Sequence, residues 1–304
     1  MKKFLVAGIF ILVAFGSSNK VNAQYYPYSD DLYYLKSTTF EIGASLGVMN
    51  CFTDLGGKKG TGHKYYRGND FSNSQVDAGI YMALMYKYAV GLRLDVTFGH
   101  VKASDETLEP VRETTYGRYD RNLSFKSQII ELCMVAEIHP RYFKNYEDAE
   151  KLPRLSPYLL GGIGIFSFKP QAQLDGQWID LQPLRTEGQG FAEYPDRKKY
   201  SLTQLVVPVG IGIKYKCTPI INISLECASR ILFTDYLDDV STQYVNPNLF
   251  SNYLSGQELE NALKLNDRRD ELNPTHSYRP GTQRGNPANN DSYYTFNIRI
   301  AALL

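Results

Sequence analysis

Polarity along most of this chain alternates with a period of two, and this limits what it can fold into. In residues 40–52, Phe40, Ile42, Ala44, Leu46 and Val48 take turns with Glu41, Gly43, Ser45 and Gly47. In 76–88, Val76, Ala78, Ile80, Met82, Leu84 and Tyr86 oppose Asp77, Gly79, Tyr81, Ala83 and Lys87. The pattern returns in 92–100, 126–138, 202–216, 221–232 and 294–304. A glycine-rich segment, 158–168, has the length of the others but an ambiguous facing. Successive side chains of a strand point to opposite faces, so each segment predicts a strand with one apolar face, not a helix.

Eight such segments of about ten residues each suit a transmembrane barrel, whose strands need about 9–11 residues to cross a bilayer. Their connections alternate. Residues 89–91, 141–156 and 217–220 are short or moderate; 53–75, 104–121, 169–199 and 241–292 are long. Outer-membrane barrels have this asymmetry, with short periplasmic turns and long external loops. A soluble sandwich or lipocalin-like barrel also alternates, but it turns its apolar face inward. The loop rhythm and an export signal favour the inverted arrangement. The expected fold is therefore all-β: an eight-stranded antiparallel transmembrane β-barrel with long extracellular loops and short periplasmic turns.

The export signal lies in residues 1–23. Lys2 and Lys3 precede an apolar run, 4–15, and Val21-Asn22-Ala23 forms a small-x-Ala cleavage site. The run is too short to span a membrane, so it reads as a signal peptide. Residues 24–38 then form a tyrosine-rich periplasmic arm, and 39–304 the barrel. The expected location is the outer membrane of a Gram-negative cell. Composition agrees: 33 Lys+Arg against 32 Asp+Glu provide no basic field for nucleic acid. A mean hydropathy of −0.33 excludes a bundle of membrane helices. The 24 tyrosines find a role if Tyr86, Tyr88, Tyr158, Tyr215 and Tyr294 form interfacial girdles near strand ends.

An eight-stranded barrel leaves no open pore; its interior is filled by side chains. The non-apolar faces carry Glu41, Asp77, Asp95, Glu131, Glu137 and Glu226, and also Lys87, Arg93, Lys214, Lys216, Arg230 and Arg299. Buried charges must pair, so these predict a structural charge network in the lumen and argue against a diffusion porin.

Signals for chemistry are weak. Cys51, Cys133, Cys217 and Cys227 include no CxxC pair. A hairpin at Pro219 would place Cys227 opposite residue 211, too far from Cys217 for a disulfide. His63, His100, His139 and His276 lack metal-ligand spacing. The parity of His100 aims it at lipid, away from any cleft. Gly56-Gly57 reads as an exposed turn, since no GK[ST] or helix follows. No cofactor, metal, nucleic acid or small-molecule substrate is expected, and no catalytic residue is assigned. The external loops say more. Asp175-Gly176 predicts a hairpin carrying Trp178, the single tryptophan, either as a self-packed anchor or as an exposed contact. Ser255-Gly256-Gln257-Glu258 has the form of a capping box, and Leu259, Ala262 and Leu263 predict a short helix that lids the barrel.

Several strings carry a family resemblance. They are Phe40-Glu41-Ile42-Gly43 with Asp54-Leu55-Gly56-Gly57, and Gly176-Gln177-Trp178-Ile179 with Arg185-Thr186-Glu187-Gly188-Gln189-Gly190. The third is Ile231-Leu232-Phe233-Thr234-Asp235-Tyr236-Leu237-Asp238-Asp239-Val240. Together they resemble PorG-like outer-membrane barrels of the type IX secretion system, over about residues 39–304. One departure is Leu304, where outer-membrane barrels usually end on an aromatic. The resemblance implies a non-enzymatic component of a protein-export machine, which in gliding bacteria also serves motility adhesins. It would tether a periplasmic ring, made of a lipoprotein and its partner subunit, to the outer membrane. Under that reading Arg141, Tyr142, Phe143 and Lys144 of the one longer turn, with Tyr33 and Tyr34 of the arm, are the candidate periplasmic contacts. The alternatives are a generic surface barrel for envelope stability or adhesion and, more remotely, a lipid-modifying enzyme.

Overall fold

The computed structural model describes residues 38–57, 71–115, 117–143, 153–275 and 280–304. The signal-peptide segment, the arm with Tyr33 and Tyr34, Lys144, His63 and His276 lie outside these residues. The strands are β1 (Thr38–Phe52), β2 (Gln75–Tyr86), β3 (Val90–Ser104), β4 (Ser124–Ile138), β5 (Leu155–Leu174), β6 (Gln177–Asp180), β7 (Thr203–Thr218), β8 (Ile221–Leu232) and β9 (Ser292–Leu303). Eight of them form one antiparallel ladder that closes on itself: β4 pairs with β5, β5 with β7, and β1 with both β2 and β9. The short β6 is extra. It pairs only with the far end of β5, through the Asp175-Gly176 turn, where both residues take positive φ. The predicted hairpin is therefore present, and β5 runs on through residues 169–174, into the start of the long connection expected over 169–199.

Closure decides which face meets which medium. Side chains with the parity of Ile80, Leu94, Leu132, Ile211 and Ile298 stand outward and exposed around the whole barrel. Their neighbours, including Glu41, Arg93, Glu131, Glu137 and Glu226, point inward and are buried. A water-soluble barrel would reverse this arrangement. An apolar outer belt on a ladder without free edges is the β solution for crossing lipid, because closure pairs the strand N–H and C=O groups almost throughout, with one break in the β5–β7 pairing between Gly161 and Gly164, where β7 carries Pro208. Among the described residues no helix is long and apolar enough to cross a membrane, which leaves strand crossing untouched. The protein is an outer-membrane β-barrel.

The glycine-rich β5 resolves its facing. Tyr158, Leu160, Phe166 and Phe168 point inward, whereas Leu159, Ile163 and Ile165 point out. Glycines on the inward face make room for rings. Gly43 lies opposite Tyr81, and Gly212 opposite Tyr158; in each pair a Cβ on the glycine would strike the ring. A large inward ring laid flat over a glycine fills a narrow lumen without prising the strands apart. This corrects the girdle expectation. Tyr86 and Tyr215 do face outward, but Tyr88 and Tyr158 fill the interior. Tyr294 has outward parity yet is buried, its ring stacked on Phe52 with centroids 5.2 Å apart.

Four long connections leave one end of the barrel: 53–74, 105–123, 175–202 and 233–291. At the other end lie 87–89, 139–154 and 219–220, with both ends of the ladder, since Glu41 pairs with Leu303. The long loops extend the barrel's hydrophobic core outward, and Leu184, Phe191, Leu237, Val245 and Phe250 are buried in it. Helix α1 (Gly256–Asn266) lies on it, burying Ala262, Leu265 and Asn266. Leu263, expected on that face, is exposed, and Leu265 takes its place. Ser255 stands at the N-cap position, but its side chain makes no capping hydrogen bond, so the capping box does not form.

Candidate functional site

Three places concentrate polar chemistry: the lumen, the periplasmic end and the cap made by the external loops. The lumen comes first because strand parity builds it. Arg93 of β3 reaches Asp95 at 2.9 Å and Glu226 at 2.9 and 3.1 Å, and also contacts Glu137. Arg299 of β9 bridges Asp95 at 2.7 Å and Glu226 at 3.0 Å. Lys214 of β7 joins Glu41 at 3.0 Å to Glu137 at 3.2 Å, and Asn222 donates to Glu41 at 2.9 Å. Nearer the external end, Arg230 grips Glu131 with two bonds of 3.1 Å, and the Tyr293 hydroxyl donates to Glu131 at 2.5 Å. Every carboxylate in these clusters has a cationic partner, as low-dielectric burial demands.

The structure brings Glu41, Arg93, Asp95, Glu131, Glu137, Lys214, Glu226, Arg230 and Arg299 together in the lumen. Asp77 departs from the expectation: it is buried in the lumen beside the Asn297 side chain, with no ion pair to it among the described residues. Lys87 is also corrected, since it sits exposed in the β2–β3 turn with φ 49°. The sequence reading missed His139. It is buried beyond the end of β4, between Glu137 at 3.1 Å and Ser156 at 3.2 Å, with its ring stacked on Tyr158. Its two-residue spacing from Glu137 was the available signal. His100 stands on the outward face, as its parity predicts. Cys51, Cys133, Cys217 and Cys227 are free thiols, and Cys227 pairs with Ile211 across the hairpin.

At the periplasmic end Tyr88, Ala89, Tyr142 and Leu303 close the lumen as a small apolar plug. Lys216 Nζ sits 3.4 Å from the Tyr88 ring centroid and 5.2 Å from that of Tyr142, a cation–π arrangement. Tyr142 also donates to the Pro153 carbonyl at 2.7 Å. This corrects Tyr142 as a partner contact: it is part of the barrel's floor. Arg141 is exposed and donates to the Leu155 carbonyl at 2.9 Å, and Phe143 is 60% exposed.

The external cap brings together residues far apart in sequence. Glu187 accepts from the Ser241 and Thr242 amides, both at 2.9 Å, from the Thr242 hydroxyl at 2.7 Å and from Arg284 at 3.0 Å. Arg121 forks onto Asp105 with two bonds of 2.8 Å and donates to the carbonyls of Arg284 and Asp54. Burial works against the charge of both arginines, but Asp105 and Glu187 outweigh it and raise their pKa values. Gly56, expected in an exposed turn, is buried here: its amide donates to Asp105 at 3.0 Å and its carbonyl accepts from Arg118. Asp239 accepts from Thr186 at 2.5 Å and Tyr200 at 2.6 Å; burial pushes it up to about 6 against the pull of Arg284. The strings 54–57, 185–190 and 231–240, separate in sequence, meet in this cap.

Beside the cap opens a cleft of about 1030 Å³, lined among others by Asp54, Arg118, Tyr244, Arg269, Asn286 and Asp291. Trp178 stands on its hairpin, 47% exposed, with Lys126 Nζ 5.5 Å from its ring centroid.

Three solved structures are similar to this chain. Neisserial surface protein A has 10% identity, coverage of 86% of this chain and 96% of its own, and a TM-score of 0.38. The attachment invasion locus protein Ail of Yersinia pestis has 8% identity, coverage of 88% and 97%, and a TM-score of 0.34. A major outer membrane protein of Thermus thermophilus has 12% identity, coverage of 88% and 99%, and a TM-score of 0.35. No curated protein matches in sequence. A family model matches residues 33–256, most of the barrel and its first three external loops, and the chain belongs to that family, described as a domain of unknown function, DUF6089.

Proposed function

We propose that this barrel is a non-enzymatic outer-membrane component of a protein-secretion machine of the type IX kind, tethering a periplasmic ring to the membrane. The observation that carries the reading is the filled lumen. Charge pairs occupy its length, and Tyr88, Tyr142 and Leu303 cover its periplasmic end, so the barrel acts through its two ends and not through a pore. The resemblance of the strings at 40–57, 176–190 and 231–240 supplies the machine. On the periplasmic side the exposed Arg141 and Phe143, next to the longer turn, are the contacts for the ring lipoprotein and its partner subunit.

Two experiments separate the readings. Deletion of the gene should stop export of the machine's cargo; unimpaired export points to the second reading, a surface barrel for envelope stability or adhesion. That second reading is favoured by the exposed Trp178 and the open external cleft. Arg141→Ala together with Phe143→Ala, which leaves Tyr142 and the start of β5 in place, should abolish co-purification of the ring while the barrel still folds. Unchanged co-purification and export would sink the tether.

A further inference from the structure

The cations on the outer face of the strands gather in one sector, at the external end of β3, β4 and β5. Outward parity brings His100 and Lys102 of β3, Lys126 of β4 and Lys169 of β5 to this face. Strand register makes Lys126 their centre. Lys102 lies directly opposite it, which sets their Cβ atoms about 5 Å apart. His100 and Lys169 both lie opposite Gln128, so they stand on the diagonals of Lys126 at about 7–8 Å. The other strands are uncharged at the corresponding outward positions, as at Val76 of β2, Leu205 of β7, Ile231 of β8 and Tyr294 of β9.

Two features make this patch the counterpart of an anion. The first is charge. Like charges directly opposite one another destabilise a sheet. Yet among the described residues Lys102 and Lys126 form no ion pair, and Lys169 meets Asp180 at 2.9 Å. Lys126 instead lies against the Trp178 ring, its Nζ 5.5 Å from the centroid. The second feature is height. On the same face, immediately below the cations, Phe98, Ile130 and Ile165 are exposed. From Val90 to His100 the strand advances about 33 Å. A strand tilt of about 40° reduces this to about 25 Å, the height of the apolar band of such a barrel. With Val90 at the periplasmic border, the cations therefore stand at the headgroups of the external leaflet. The short β6, which closure does not need, widens the sheet in this sector alone. It holds Trp178 at the level where indole rings settle in a membrane.

We propose that this face binds the phosphates of an anionic lipid of the external leaflet. Lys102 and Lys126 hold one phosphate between them, His100 and Lys169 flank it, and Trp178 lies against the headgroup. A phosphate has the charge and the oxygens to bridge two ammonium groups, so it removes the repulsion that strand register builds in. A lipid meets both surfaces at once: its headgroup lies on the cations while its acyl chains run down over Phe98, Ile130 and Ile165. Dissolved phosphate uses only the first.

The full chain, refolded in detergent micelles, is titrated with diphosphorylated lipid A, and bound lipid is counted by native mass spectrometry. One lipid per barrel is expected. The triple variant Lys102→Gln, Lys126→Gln, Lys169→Gln should bind about a hundredfold more weakly. Should it lack the heat-modifiable gel shift of the folded barrel, Lys126→Gln alone should weaken binding about fivefold. Lys87→Gln, which removes a cation at the periplasmic end, should bind as the wild type does. Lipid A stripped of its phosphates should bind far more weakly than the intact lipid, and inorganic phosphate should not displace the intact lipid. No lipid on the wild-type chain, equal binding by the lysine variants, equal binding of the phosphate-free lipid, or displacement by inorganic phosphate each overturns the proposal.

Discussion

At the residue scale, the lumen depends on charges that are safe only in company. Glu226 receives Arg93, Arg299 and the Tyr158 hydroxyl, the last at 2.8 Å. Glu226→Gln leaves two guanidinium groups short of counter-charge where water cannot reach them. Losing one partner of such a buried set costs about 3–5 kcal/mol. The expected result is a lower urea midpoint for the gel shift of the folded barrel in micelles, with the barrel still able to fold. An unchanged midpoint would mean that water fills the lumen and screens the network. Replacing the whole set by apolar residues of similar volume need not destabilise, because pairing repays a desolvation cost that apolar residues never incur.

At the element scale, each strand carries two surfaces with opposite requirements. Ile80, in the middle of β2, pairs with Ala44 and Val96 and faces lipid. Ile80→Arg should cost about 2–4 kcal/mol, the usual penalty for a cation at the bilayer midplane. Folding into lipid vesicles checks it, and a cost near zero would place β2 off the lipid face. The external loops respond to pH instead. Asp239 is raised to about 6 and Asp235 to about 9. Both lie above the ordinary carboxylate range, so the folded cap holds protons that the unfolded loop releases. Their contribution is complete below about pH 4 and is lost as pH rises through about 6 for Asp239 and about 9 for Asp235. Amide exchange over 233–241, corrected for its intrinsic pH dependence, should therefore accelerate between pH 5 and 9. Flat protection across that window contradicts the raised values.

At the scale of the whole molecule, strand number, facing and loop asymmetry were legible because a period of two is a local property that survives folding. Even the opposition of Ile211 and Cys227 follows from counting back from Pro219. The lumen charges were legible for the same reason: parity alone sends Glu131 and Arg230 inward. Legibility stopped where tertiary contacts decide. Tyr158 and Tyr88 lie near strand ends, as girdle residues do, but the parity of Tyr158 and the glycine opposite it turn that ring inside, and Tyr88 leaves strand register in the β2–β3 turn, at φ 57°, to pack into the floor. Tyr142 looked like a free turn residue and closes the floor. The cap could not be read at all, since Arg121, Glu187, Ser241 and Arg284 come from three external loops and only barrel closure brings them together. A filled outer-membrane barrel that works through its ends should not conduct. The purified, refolded protein is therefore expected to insert into planar lipid bilayers without stable conductance steps; sustained ohmic steps through the wild-type barrel would mean an open lumen.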